Sequence, residues 1–325
     1  MSRFQKLAWA TLGYTLLVIV WGAYVRASGS GAGCGAHWPL CNGVALPVAP
    51  AQKTVIELSH RVTSGLVLFF ALALMVQAFR SFPRGALPRI ASVAVLLLTI
   101  VEALIGRFLV LFELVAQNAS LKRALSMVLH LGNTFLLLAA IALAIHGGRV
   151  PPDASREVSP SRLPLLQRAL LPLVAAGLMV VGMSGGIAAL GDTLFPATSF
   201  SEGLAAELQS SAHVLLRLRI LHPLFASAVS LAALALAALM RGSSASPVAV
   251  FWSRAVTALV VVQFALGLVN VALLAPVWLQ LVHLFVADGL WLAFVFLWAE
   301  ARTQAPRAPA RASADAGVEL ATSGR

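Results

Sequence analysis

Four histidines, His60, His130, His222 and His283, interrupt apolar runs in this chain. An ionisable side chain in a segment of membrane length is costly, and it marks a functional site with a partner nearby. Two of the four precede residues 147–168 and two follow them. Paired imidazoles on different helices suit bis-axial ligation of a heme iron, with apolar walls on either side of the macrocycle. A zinc or di-iron centre would want thiolates or carboxylates beside each imidazole. No acid lies within a turn of His222, and Asp288, five residues past His283, points to another face. Heme is therefore expected over a bare metal. His37, His146 and His213 fall in an outer loop and at helix ends, and read as interfacial or solvated.

The richest stretch is VIELSHRVTSG, residues 55–65. Glu57 precedes His60 by three residues and so shares its helix face; Arg61 is four after Glu57. Two roles are open for Glu57: an acid at a reaction site, or half of a structural ion pair with Arg61. In the second half Arg219 and Pro223 stand where Glu57 and Arg61 stand in the first. The first half would then hold the reaction site and the second a structural or electron-relay heme. Arg26, Arg61 and Arg219 can meet heme propionates or pair with acids. The two cysteines, Cys34 and Cys41, occur in GSGAGCGAHWPLCNG, close and flexible enough to form a disulfide. On an oxidising face that bond is either a loop staple or a redox-active pair.

These residues must be positioned by membrane helices. Of 325 residues, 60% are hydrophobic and 11% charged, which excludes an ordinary soluble domain. Apolar segments fall near 8–26, 55–79, 90–111, 124–145, 169–190, 213–240, 255–274 and 279–299. The expected class is an all-α polytopic membrane protein with eight transmembrane helices. The first segment is long for a cleaved signal peptide and lacks a small-residue cleavage site. The net charge of +11 reports orientation here and not nucleic-acid binding. The termini with 80–89, 147–168 and 241–254 hold most of the Lys and Arg, whereas 191–212 holds Asp192, Glu202 and Glu207. Both termini are thus expected in the cytoplasm.

The second span aligns with the sixth, bringing His60 onto His222. The third and seventh share a polar residue four before a glycine, Glu102 with Gly106 and Gln263 with Gly267. The fourth and eighth each place a histidine early. A parallel repeat of a four-helix unit follows. The expected units are 1–146 and 169–304, joined by a cytoplasmic linker, 147–168, and followed by a disordered tail, 305–325.

The stretch GAYVRASGSGAGCGAHWPLCNG resembles the first outer loop of heme A synthases, and ELSHRVTSG their second-span motif. GDTLFP (191–196) and LGLVNVALLAPVWLQLVHL are similar to that family's third outer loop and last two spans. The resemblance implies two pseudo-symmetric four-helix bundles in a bacterial inner membrane, and oxidation of the C8 methyl group of heme O to a formyl group, giving heme A for terminal oxidases. It implies that His60 and His130 ligate the substrate heme iron, that His222 and His283 ligate a resident heme b, and that Glu57 is the catalytic acid. It also implies that Cys34 and Cys41 are the disulfide pair of two-cysteine members. Pro223 departs from the family, which often has arginine there. Expected partners are heme O, heme O synthase, an electron-transfer protein, the lipid bilayer and further copies of the chain. The alternative is a di-heme b-type cytochrome exchanging electrons with quinone, which needs neither Glu57 nor the cysteines. A transporter is disfavoured for want of obviously broken helices.

Overall fold

The structure, a computed structural model, describes residues 1–149, 163–242 and 246–303. Every regular element among them is helical: α1 (Arg3–Ala27), α2 (Gln52–Ser81), α3 (Leu87–Leu111), α4 (Leu121–Gly147), α5 (Leu165–Leu194), α6 (Phe200–Leu208), α7 (Val214–Arg219), α8 (Leu221–Leu239), α9 (Pro247–Ala272) and α10 (Val277–Thr303). Eight spans are long and apolar enough to cross a membrane, α7 and α8 together making one. Lipid offers the backbone no partners, so an apolar chain of this kind must satisfy its N–H and C=O groups within helices. Most of the helices overrun the apolar segments, and three of the long ones start at serine caps. Ser120 Oγ accepts the Arg123 N–H at 3.2 Å to start α4, and Ser2 and Ser246 cap α1 and α9 in the same way. The expected linker is described only at its ends, where α4 stops at Gly147 and α5 begins at Leu165. The rest of it and the tail lie outside the described residues.

The sixth span is not the single run 213–240 that its hydropathy suggests. It divides at Ile220 between α7 and α8. Pro223 supplies the reason: it has no N–H for the Arg219 carbonyl, and its ring crowds that carbonyl. The segment that carries His222 therefore begins a new helix.

Two helices form the centre. In α4 and α10 about half of the span is buried, 56% and 50%, against 28% or less in the other six. The helices before α4 pack in order, α1 on α2, α2 on α3 and α3 on α4. Those after it repeat the pattern, α5 on α8, α8 on α9 and α9 on α10. At the central seam Trp291 Nε1 donates to the Phe135 carbonyl at 2.7 Å, and the two rings meet edge to face. Gly186 lets α5 approach α4 closely, since a Cβ there would sit 2.1 Å from Leu131 Cδ1.

Candidate functional site

The histidines gather in two pairs. His60 on α2 and His130 on α4 are near enough to interact electrostatically, as are His222 on α8 and His283 on α10. All four rings are half-buried. His60 lies against Gly22 of α1, where a Cβ would be 2.8 Å from the ring, and His222 lies against Gly185 of α5 at 3.0 Å. In each half, then, the first helix offers a glycine so that an imidazole can press onto it. Buried Nδ1 atoms of His60, His130 and His283 have no hydrogen-bond partner. A buried polar atom left unpaired is destabilising, so these rings are set for a bound group to complete their surroundings. Two imidazoles per half, with no group of three or more His, Cys, Asp or Glu among the described residues, fit a metalloporphyrin that brings its own four equatorial nitrogens. They do not fit a metal cage built only from side chains.

Glu57 is buried, and both of its oxygens are engaged. Oε1 pairs with the Arg61 guanidinium, through Nε at 3.1 Å and through Nη2, while Oε2 accepts the Cys34 N–H at 2.8 Å. Arg61 also donates to the carbonyls of His37 at 2.6 Å and Leu40 at 2.8 Å. Thr54 Oγ1 donates to the Gly33 carbonyl at 2.7 Å. The first turns of α2 thus grip the 28–51 loop. That loop is closed by the Cys34–Cys41 disulfide, whose cysteines are fully buried. The side chains chosen for chemistry also fasten this loop to α2.

In the second half Arg219 is not a lone base. It pairs with Asp192 at 2.7 Å and with Glu207, so the 191–212 segment brings acids that sequence spacing around His222 does not reveal. Among the described residues Arg26 forms no ion pair with a carboxylate. It donates to the Ala189 carbonyl at 2.9 Å, Thr193 Oγ1 at 2.8 Å and Gln280 Oε1 at 2.9 Å, tying α1 to α5 and α10. His213 caps α7, accepting the Leu215 N–H at 3.3 Å. His146 corrects the solvated reading, for it is buried at the end of α4.

Several neighbours of the histidines escaped the sequence reading. Glu102 Oε1 lies 3.2 Å from His130 Nδ1, not aligned for a hydrogen bond. Gln263 Nε2 lies 3.1 Å from His283 Nε2, and Ser184 Oγ is 3.1 Å from His222 Nδ1. The signal for the first two was present, since Glu102 and Gln263 were the polar pair that marked the repeat. Nothing local pointed to Ser184, Gly22 or Gly185.

A family model described as COX15-CtaA, cytochrome oxidase assembly protein, matches residues 5–295. This chain belongs to the COX15-CtaA family. Within reach of this COX15-CtaA member is a Thermus thermophilus protein named protoheme IX farnesyltransferase, 45% identical over 300 residues, 91% of this chain and 48% of that protein. Proteins named heme A synthase are also similar. One from Alkalihalophilus pseudofirmus is 38% identical over 128 residues, 39% of this chain and 40% of its own length. One from Halalkalibacterium halodurans is 33% identical over 143 residues, 43% and 45%. The chain spans about half the length, or less, of these relatives.

Proposed function

We propose that this COX15-CtaA member is a heme A synthase that oxidises the C8 methyl group of heme O to a formyl group, in a bacterial inner membrane with both termini cytoplasmic. The observation that carries the reading is the pairing of His60 with His130 and of His222 with His283 on helices of two similarly ordered halves. The first pair would hold the substrate heme O, and the second a resident heme b. Units 1–146 and 169–304 would be the two bundles of the repeat.

Heme supplies the redox chemistry that no side chain possesses. The chain's contribution is to hold and seal. His60 of α2 and His130 of α4 would hold the macrocycle, and Gly22 leaves room for the His60 ring. Glu57, three residues before His60, places a buried carboxylate on the helix of this site, where the second half has Arg219 at the matching position. That carboxylate is pre-oriented by Arg61 and the Cys34 amide to accept a proton or to balance a developing positive charge. The disulfide-closed loop over it limits access of water. Lateral access from lipid suits a farnesylated substrate. Heme O synthase would be the supplying partner and an electron-transfer protein the receiving one.

The Thermus relative's name suggests a second reading, prenyl transfer to protoheme. Transfer from a diphosphate generally needs clustered carboxylates for Mg²⁺. The four aspartates here, Asp153, Asp192, Asp288 and Asp315, are widely separated in sequence. The name fits better the roughly half of that relative which this chain does not cover.

Pigment extraction from cells that supply heme O tests the proposal. Wild type should yield heme A, and Glu57→Gln should yield bound heme with heme A reduced at least tenfold. Bound heme without any heme A from the wild type would favour the di-heme cytochrome instead. Farnesylated heme made from protoheme by this chain alone would favour the prenyl-transfer reading.

A further inference from the structure

We infer that Glu102 is a positioning residue for the first histidine pair, its carboxylate backing the Nδ1 of His130 and making that imidazole the strongest electron donor among the four. The inference rests on His130 being an iron ligand, as proposed above. Glu102 sits on α3 and reaches α4, where Thr134 Oγ1 donates to its Oε1 at 2.5 Å and Asn133 Nδ2 donates to its Oε2. Asn133 Nδ2 also donates to the Leu98 carbonyl at 2.9 Å, fixing the amide between the two helices. The carboxylate is therefore held from behind, with Oε1 left 3.2 Å from the imidazole. Contacts of this kind are often loose before ligand binds and tighten afterwards.

The companion half makes the comparison. Gln263 stands at the matching sequence position on α9, but its Nε2 meets His283 Nε2 at 3.1 Å, brings no charge and leaves His283 Nδ1 without a partner. One difference between the sites is thus a carboxylate behind the Nδ1 of His130, where the matching residue in the second half brings no charge to His283 Nδ1. A carboxylate that takes the Nδ1 proton into a hydrogen bond fixes the tautomer, leaves Nε2 free to ligate and raises ligand basicity. A more basic axial ligand favours ferric over ferrous iron and lowers the potential. With the lower potential at the first site and the higher at the second, electrons withdrawn beside Glu57 would pass downhill toward the second site.

The test is a redox titration of the purified full-length protein loaded with iron protoporphyrin. His130→Ala should remove the lower-potential wave and His222→Ala the higher one. Should His130→Ala retain both waves, the ligand assignment itself falls, separately from the role of Glu102. In Glu102→Gln the first-site wave should rise by about 59 mV, a tenfold loss of preference for ferric iron, while the second-site wave stays in place. A first-site wave that does not move overturns the inference. If Glu102→Gln takes up no heme at the first site, Glu102→Asp decides. Uptake restored by aspartate supports the charge, and no uptake in either variant reduces Glu102 to a brace between α3 and α4, overturning the proposal.

Discussion

Replacing Arg61 with alanine would strip the buried Glu57 of its cation and leave the His37 and Leu40 carbonyls without a donor. Breaking one side of a buried pair is the expensive case, about 3 kcal/mol. Arg61→Ala should therefore lower the thermal midpoint of the purified protein more than Arg107→Ala, whose guanidinium only stacks over Trp38. At this scale the sequence was legible where helical spacing applies. Glu57, His60 and Arg61 lie three or four residues apart, and the ion pair forms as that spacing allows. The other oxygen of Glu57 was not legible, because the Cys34 amide arrives from a loop 23 residues away. Glu102 was read only as a polar residue matching Gln263, for a similar reason. Its importance depends on α3 lying against α4, which no local pattern announces.

Among the helices, the division at Ile220 and the short α6 each carry an expectation. Pro223→Ala would restore a donor for the Arg219 carbonyl and join α7 to α8. Hydrogen exchange at the new amide should be slow, and heme retained at the second site should fall as His222 moves with the straightened segment. Helix α6 begins with a capping box: Ser199 Oγ accepts the Glu202 N–H at 3.2 Å, and Glu202 accepts the Thr198 N–H at 2.9 Å and its hydroxyl. These bonds to the Thr198 side chain and backbone hold the Glu202 carboxyl below the ordinary carboxylate range. A depressed folded-state value means that the stabilisation is full above the ordinary glutamate value and is lost as pH falls through the depressed one. Amides at the start of α6 should thus exchange faster in that acid window, and Glu202→Gln should remove the pH dependence. Hydropathy revealed eight spans because membrane length is a strong signal. It was blind to the break in the sixth, since Pro223 sits among residues apolar enough to hide it.

For the whole molecule, the interface between halves is the feature that composition could not show. The two most enclosed helices, α4 and α10, meet through the Trp291 indole and the Phe135 carbonyl. Trp291→Phe keeps the aromatic contact but leaves that carbonyl unpaired in a buried place, costing about 1 kcal/mol. A drop in thermal midpoint with heme content unchanged is the expected result; an unchanged midpoint would show that the carbonyl finds another donor. Matched polar residues led the sequence reading to expect two similar halves, and helix packing runs in the same order before and after the middle of the chain. Which helices face each other between the halves was not legible, because every apolar span is equally content with lipid or with protein. Arg26 gives this arrangement a temporal side. Its guanidinium stands near the end of α1, yet its acceptors Ala189, Thr193 and Gln280 belong to α5 and α10. During synthesis Gln280 emerges long after Arg26 and the α5 acceptors, so a nascent chain halted before α10 would lack the tie between α1 and α10.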